Sequence, residues 1–267
     1  MIDLGKKNVL GIGVSAIDYD GAVAAIVAAA RDRRSYKAAA LAVHGVMTGV
    51  LDREHRWRLN GFDLIAPDGQ PVRWAMNLMH AAKLQDRVYG PNLMLDVCER
   101  AAGENLPVYL YGSRSEVLEL LEKNLKAQFP DLIIAGKRPS LFRRSTDAEK
   151  SEIAREIEAT GARIVFVGLG CPRQEIWVHE YADMLACPSI AVGAAFDFHA
   201  GLLKQAPQWM QERGLEWLFR LTQEPRRLWR RYLYLNPLYV VLFGAQMISP
   251  ALFGDIGTKP KNSENYA

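Results

Sequence analysis

Short apolar runs alternate along this chain with longer stretches of mixed apolar and polar residues. The short runs are typical of buried strands, and the longer stretches are typical of helices with one face in a core. Strands are predicted at 38–43, 63–66, 107–111, 132–135, 163–167 and 189–192. Helices are predicted at 21–30, 46–59, 71–82, 92–102, 116–128, 147–159 and 176–185.

This alternation predicts an α/β fold with a Rossmann-like, mainly parallel sheet and helices on both of its faces. Ligands of such sheets bind at the carboxyl ends of the strands. Three loops fall at predicted strand ends, at 112–113, 168–172 and 193–198. Because these loops converge on one edge of the sheet, they indicate a binding cleft there.

The most informative segment follows the strand predicted at 163–167. Gly168 and Gly170 form a tight turn, and Pro172 stands where a first helical residue belongs. Backbone N–H groups at a helix start attract phosphate. Polar side chains face the same ligand from the first helical turn: Arg173, Gln174 and Glu175. The segment predicts a diphosphate site, although Gly-x-Gly is also a common turn and the third glycine of the dinucleotide fingerprint is absent.

The composition changes after about residue 202. Aromatic residues there interleave with arginines: Trp209, Trp217, Phe219, Trp229, Tyr232 and Tyr234 with Arg213, Arg220, Arg226, Arg227, Arg230 and Arg231. An apolar stretch at 237–253 follows, interrupted by Gly244 and Pro250. The chain is predicted to have three parts: a core at 1–205, a helical appendage at 206–256 and a disordered tail at 257–267.

The basic, aromatic appendage admits three interpretations. It is a helix with a solvated basic face and an aromatic core face, a nucleic-acid-binding surface, or an attachment to an anionic membrane surface. The apolar stretch at 237–253 favours the membrane. Because this stretch is short and interrupted, we expect it to lie on the bilayer rather than to span it. An apolar face that packs on another subunit instead leaves homo-oligomer formation open.

Charge and composition argue against several other classes. A net charge of +3 gives no global signal for nucleic acid, and residues 1–10 lack the apolar core of a signal peptide. The three cysteines form no CxxC pair, no two histidines have metal-ligand spacing, and no DxD pattern is present. We therefore expect a reduced, cytosolic setting, no metal and no cofactor.

Four polar residues carry further candidate chemistry. Asp68, in Pro-Asp-Gly after a predicted strand, is either a turn residue or a carboxylate that takes a proton from a sugar hydroxyl. Arg87 is either a solvated charge or a residue that contacts a diphosphate or orients the base. His44, after a predicted strand, is either structural or involved in binding or proton transfer. Asp197 either forms hydrogen bonds to a sugar or fixes a turn.

Taken together, these segments resemble the WecG/TagA/CpsF family of bacterial glycosyltransferases. The matching segments are 67–72, 87–94, 167–175, 192–197 and 206–232. The resemblance extends from about residue 10 to residue 234, and the ordered set of motifs is specific although each motif alone is weak. It implies inverting, metal-independent transfer of a sugar from a UDP-sugar to a polyprenyl-diphosphate-linked acceptor in the synthesis of a cell-surface polysaccharide. It also implies a peripheral protein at the cytoplasmic face of the cell membrane.

The same resemblance implies roles for individual residues. Asp68 is the candidate general base, and Gln174 contacts the donor or acceptor sugar. Arg87 and C-terminal arginines neutralise diphosphate charge, and the appendage reaches the membrane and completes the site. Asp68 and Arg87 are therefore assigned to catalysis. Substrate binding is assigned to His44, Gly69, Gly112, Gly168, Gly170, Pro172, Arg173, Gln174, Glu175, Asp197, Arg220, Arg227 and Arg231.

One departure from the family pattern follows the first predicted strand. Many members carry Thr-x-Asn there, whereas this chain has His44 within 42–47. The donor and acceptor sugars are therefore not assigned. Two other function classes stay open: an NAD(P)-dependent oxidoreductase, which needs a third glycine and an acidic ribose ligand, and a non-catalytic nucleotide-binding or membrane-bound module.

Overall fold

The computed structural model describes residues 1–267 and begins with an antiparallel hairpin. Its strands are β1 (Asp3–Val9) and β2 (Ile12–Ile17), and the turn between them uses Leu10 and Gly11, both with positive φ. The apolar pattern does not predict this hairpin, because most of β1 is polar and exposed.

Six further strands form the central sheet: β3 (Tyr36–Leu41), β4 (Leu64–Pro67), β5 (Val108–Gly112), β6 (Ile134–Arg138), β7 (Ile164–Gly168) and β8 (Pro188–Ala191). They lie in the order β4-β3-β8-β7-β5-β6, and every neighbouring pair is parallel. The predicted α/β fold with a mainly parallel sheet is therefore confirmed. The carboxyl ends of all six strands meet at one edge.

The helices of the core are α1 (Tyr19–Arg31), α2 (Val43–Leu51), α3 (Arg53–Asn60), α4 (Gln70–His80), α5 (Gly90–Gly103), α6 (Ser115–Gln128), α7 (Asp147–Ala159), α8 (Arg173–Tyr181) and α9 (Ala195–His199). The single helix predicted at 46–59 is wrong, because two helices, α2 and α3, occupy this region. Asp52 is extended between them, with φ −122°, and its carboxylate accepts hydrogen bonds from the amides of Glu54 and His55. This capping starts a new helix and changes its direction.

Both faces of the sheet are buried under helices. Along β5, Tyr109 and Tyr111 join one apolar cluster, whereas Val108 and Leu110 join the other. The first cluster includes residues of α2, α4, α7 and α8, and the second includes residues of α1, α5 and α6. This alternation has the period of a strand that packs on both sides.

Three helices follow the core: α10 (Gln208–Glu212), α11 (Glu216–Gln223) and α12 (Pro225–Ile248). The last helix continues through Pro237 and through Gly244, which the sequence analysis takes as an interruption, and it ends before Pro250, the second predicted interruption. Tyr239 and Gln246 are buried, and the Gln246 side chain accepts a hydrogen bond of 2.8 Å from the amide of Leu10. Helix α12 thus packs against the N-terminal hairpin. None of the helices combines the length and the apolarity that a membrane span needs.

The tail at 257–267 lies against the core, which differs from the disorder that its polar composition predicts. The carboxylate of Glu180 accepts hydrogen bonds from the amides of Glu264 and Asn265. Glu264 also pairs with Arg58 at 3.1 Å, and Ala267 is buried. Polar contacts of the backbone, which composition does not reveal, hold this segment.

Candidate active site

A cleft of about 370 Å³ opens at the carboxyl edge of the sheet. Its walls come from the segments after β3, β4, β5, β7 and β8, and helices α11 and α12 close one side. The sheet therefore provides the cleft where the strand order predicts it. Eleven predicted site residues line it: His44, Asp68, Gly168, Gly170, Arg173, Gln174, Glu175, Asp197, Arg220, Arg227 and Arg231.

Asp68 directly follows β4, and Gly69 caps the next helix just outside the cleft lining. Burial raises the pKa of Asp68 from 3.8 to about 6; Arg87, 3.7 Å away, opposes this shift, and the negative charge of Glu216 adds to it. At neutral pH the carboxylate is therefore ionised and more basic than a free aspartate. This combination suits a general base.

Arg87 lies beside Asp68 but does not line the cleft. Its buried guanidinium donates to the Glu216 carboxylate at 2.6 Å and to the Gln211 side chain at 3.1 Å, and it lies 4.2 Å from the centre of the Tyr89 ring. Two carboxylates, Asp68 and Glu216, therefore balance its charge. A contact of Arg87 to a diphosphate and its orientation of the base both stay predictions.

Gly112 and Gly168 allow close approaches at the ends of β5 and β7. A Cβ atom at Gly112 would lie 2.9 Å from the Gly168 backbone, and a Cβ atom at Gly168 would lie 2.5 Å from the Phe196 ring. Gly112 is thus a supporting residue behind the cleft rather than a part of its lining.

The turn before α8 forms hydrogen bonds with side chains of the first helical turn. The Gly170 amide donates to the Gln174 side-chain oxygen at 3.0 Å, and the Gln174 side-chain nitrogen donates to Glu175 at 2.8 Å. Pro172 is the cap and Arg173 the first helical residue, one position later than predicted. The Gly170 amide, which the sequence analysis assigns to phosphate, is therefore already bonded, whereas the side chain of Arg173 remains at the cleft.

His44 lies in the first turn of α2 and lines the cleft. Burial, together with the nearby positive charge of Arg231, lowers the pKa of His44 to about 3. The imidazole is therefore neutral at physiological pH, which suits a hydrogen bond to a substrate better than a charge contact. Asp197, in α9, lies across the cleft with its pKa raised by burial.

Five arginines line the cleft, and three of them come from the appendage: Arg114, Arg173, Arg220, Arg227 and Arg231. The lining also holds three carboxylates: Asp68, Glu175 and Asp197. A guanidinium binds phosphate oxygens in a bidentate manner and keeps its charge at any physiological pH. The positive excess therefore suits a substrate with a diphosphate group.

The sequence analysis places Ser113 in a strand-end loop of the cleft, but it misses several other polar and aromatic lining residues: Tyr89, Arg114, Ser140 and Phe142. Arg114 follows Ser113 in the loop after β5, so the rule that strand ends carry the site could have found it as well. Ser140 and Phe142 come after the edge strand β6, and no residue pattern there indicates a site.

A parallel α/β sheet that combines a basic carboxylate with five arginines at its carboxyl edge is typical of an enzyme that acts on anionic substrates. The model of the WecG/TagA/CpsF family of glycosyl transferases matches residues 7–251. The chain belongs to this family and is a glycosyltransferase.

Two curated relatives carry the same name, N-acetylglucosaminyldiphosphoundecaprenol N-acetyl-beta-D-mannosaminyltransferase. The protein of Bacillus subtilis (strain 168) is 30% identical over 185 residues, which cover 69% of this chain and 70% of the relative. The protein of Bacillus spizizenii is 32% identical over 183 residues, 68% of each chain. Both relatives are thus named as N-acetylmannosaminyltransferases.

Proposed function

We propose that this glycosyltransferase moves a sugar from a UDP-sugar to a saccharide linked to polyprenyl diphosphate. The names of both relatives specify an acceptor of this kind, N-acetylglucosaminyldiphosphoundecaprenol. The observation that carries the proposal is the position of Asp68 in a cleft with five arginines. One substrate contributes the hydroxyl that Asp68 deprotonates, and the other contributes the diphosphate that leaves.

The proposed reaction is a single displacement. Asp68 takes the proton of the acceptor hydroxyl while the hydroxyl oxygen attacks the anomeric carbon. The bond from that carbon to the diphosphate oxygen breaks on the opposite face, and the electron pair leaves with UDP. This geometry inverts the anomeric centre.

The leaving diphosphate gains negative charge as its bond to the sugar breaks. Arg220, Arg227 and Arg231 are placed on the cleft before the reaction, so they stabilise that charge without reorganisation. We therefore propose transfer without a metal ion at the diphosphate. Gln174 faces the sugar, and neutral His44 forms a hydrogen bond to one of the two substrates.

The appendage is proposed to lie on the anionic surface of the membrane, at its cytoplasmic face. Large apolar side chains on α12 and after it are exposed: Trp229, Leu233, Tyr234, Val240, Val241, Met247, Ile248 and Leu252. Arginines interleave with the first of them, as in helices that bind anionic lipid. A protein held there reaches the head group of a lipid-linked acceptor.

The experiment is a UDP-release assay with a panel of UDP-sugars and polyprenyl-diphosphate-linked acceptors, with EDTA present and Asp68→Asn alongside. Release that requires acceptor and is lost in the variant supports the proposed reaction and identifies the donor. Release that requires added Mg²⁺ or Mn²⁺ refutes the metal-independent part. If no pair reacts, calorimetry with UDP decides, because a protein that does not bind UDP contradicts the proposal.

A further inference from the structure

Three residues with metal-binding side chains meet at the inner wall of the cleft. His55 comes from α3, Cys171 from the turn after β7, and Glu175 from α8. Each contributes one ligand atom, and these three atoms lie within 4.8 Å of one another. They are brought together by tertiary packing, so the spacing of residues in the sequence does not reveal them.

His55 and Glu175 are buried, Cys171 is half-buried, and the polar atoms of the cluster are not fully bonded within the protein. His55 is 1% exposed, and neither of its ring nitrogens has a hydrogen-bond partner. Glu175 is fully buried; one carboxylate oxygen accepts from Gln174, and the other has no partner. Buried polar groups are almost always paired, so these atoms point to a ligand between them.

We propose that His55, Cys171 and Glu175 bind a Zn²⁺ ion. A nitrogen, a sulfur and an oxygen ligand form a donor set typical of zinc, which accepts all three and prefers four-coordinate geometry. A thiolate and a carboxylate together neutralise the two charges of the ion. The fourth coordination position is then open to a water molecule or to a substrate group.

The zinc site differs in place and in role from the diphosphate site. Cys171 and Glu175 line the cleft from one side, whereas His55 does not line it. The ion would link α3 to the turn after β7 and to the first turn of α8, and so fix that wall of the cleft. The charges of the ion, the thiolate and the carboxylate sum to zero. The excess positive charge of the arginines therefore stays available to the diphosphate.

Metal content of the whole purified protein tests this proposal. The protein is prepared without a polyhistidine tag and without chelator, and its zinc is measured by plasma mass spectrometry. We expect about one Zn²⁺ per chain. Metal-free protein should take up Co²⁺ and show a sulfur-to-cobalt charge-transfer band with the visible absorption of a four-coordinate ion. Zn²⁺ at 100-fold to 1,000-fold over its Kd should raise Tm by roughly 5–15 °C.

Variants locate the ion. Loss of an outer-shell partner costs about 10–100-fold in metal affinity, so Cys171→Ser and His55→Leu, which remove direct ligands, should lose more. Cys187→Ala removes another buried free thiol and should bind Zn²⁺ like the wild type. Far-ultraviolet circular dichroism reports whether each variant folds.

Wild-type protein that neither contains zinc nor binds Co²⁺ would overturn the proposal, and this measurement needs no variant. Folded ligand variants with wild-type affinity, or a cobalt complex without the sulfur band, would overturn the assigned ligands. None of these readouts depends on sugar transfer.

Discussion

The carboxylate of Glu216, in helix α11 of the appendage, lies 2.6 Å from the guanidinium of Arg87 in the core. Both side chains are largely buried, and the same guanidinium lies 3.7 Å from Asp68. The appendage therefore contributes directly to the electrostatics of the proposed base. If α11 were removed from an intact core, the electrostatic field at Asp68 would therefore change.

Replacement of the proposed base gives the first prediction. Asp68→Asn keeps the shape of the side chain but cannot accept the proton, so turnover should fall by at least about 100-fold. UDP release under saturating substrates is the measurement. Asp131→Asn, at an exposed aspartate, should retain wild-type turnover. Near-normal turnover of Asp68→Asn would remove Asp68 from this role.

The pH dependence of turnover gives the second prediction. The reaction needs ionised Asp68, whose pKa is about 6, so kcat/KM should rise with pH through about 6 and then level. Glu216→Gln removes a negative charge that raises this pKa, so the acidic limb should move to lower pH. The exposed Glu212→Gln should not move it. A shift of the Glu216→Gln limb to higher pH would contradict the electrostatic link.

Two glycines of the same turn should respond differently to alanine. Gly168→Ala places a methyl group 2.5 Å from Phe196 and should destabilise by about 2–3 kcal/mol through overpacking. Gly170→Ala meets nothing within 4 Å, but its φ of +78° costs about 1–2 kcal/mol. Urea unfolding measures both. Equal losses of stability in the two variants would show that the ring of Phe196 moves aside to make room for the methyl group.

Neighbouring arginines of α12 provide a matched pair for donor binding. Both side chains are exposed, but Arg227 lines the cleft and pairs with Glu224, whereas Arg226 does not line it. Loss of a charged contact to phosphate costs about 1.5–3 kcal/mol, so Arg227→Ala should weaken UDP binding by roughly 10–100-fold. Arg226→Ala should change it little. Calorimetry at fixed salt measures the UDP affinity of both variants. Equal losses of affinity would indicate that the arginines act through long-range electrostatics and not through a direct contact to the phosphate.

The exposed apolar face of α12 can be tested without truncation. A triple variant, Leu233→Ser with Val240→Ser and Val241→Ser, should lower flotation with anionic liposomes because it removes apolar area from the membrane contact. Leu78→Ser with Ile133→Ser changes exposed apolar residues of the core and should float like the wild type. Unchanged flotation of the triple variant would argue against this face.

Local patterns predict the sheet well because most strands of the central sheet are apolar on both faces. The same reasoning misses β1, because its polar residues Lys6 and Lys7 interrupt the apolar pattern of a strand. It joins α2 to α3 because a single capping residue such as Asp52 is a weak signal inside a helical stretch. Eleven of the cleft residues are predicted, since strand ends converge by topology. The contact of Arg87 with Glu216 is not, because it depends on how the appendage packs.

The hydrogen bond from the Leu10 amide to Gln246 joins residues 236 positions apart. A ribosome adds about 5–20 residues per second, so the N-terminal hairpin waits roughly 10–50 s for this partner. The hairpin is among the first segments synthesised and among the last to be completed. During translation its turn therefore stays available to chaperones until α12 emerges and closes the domain.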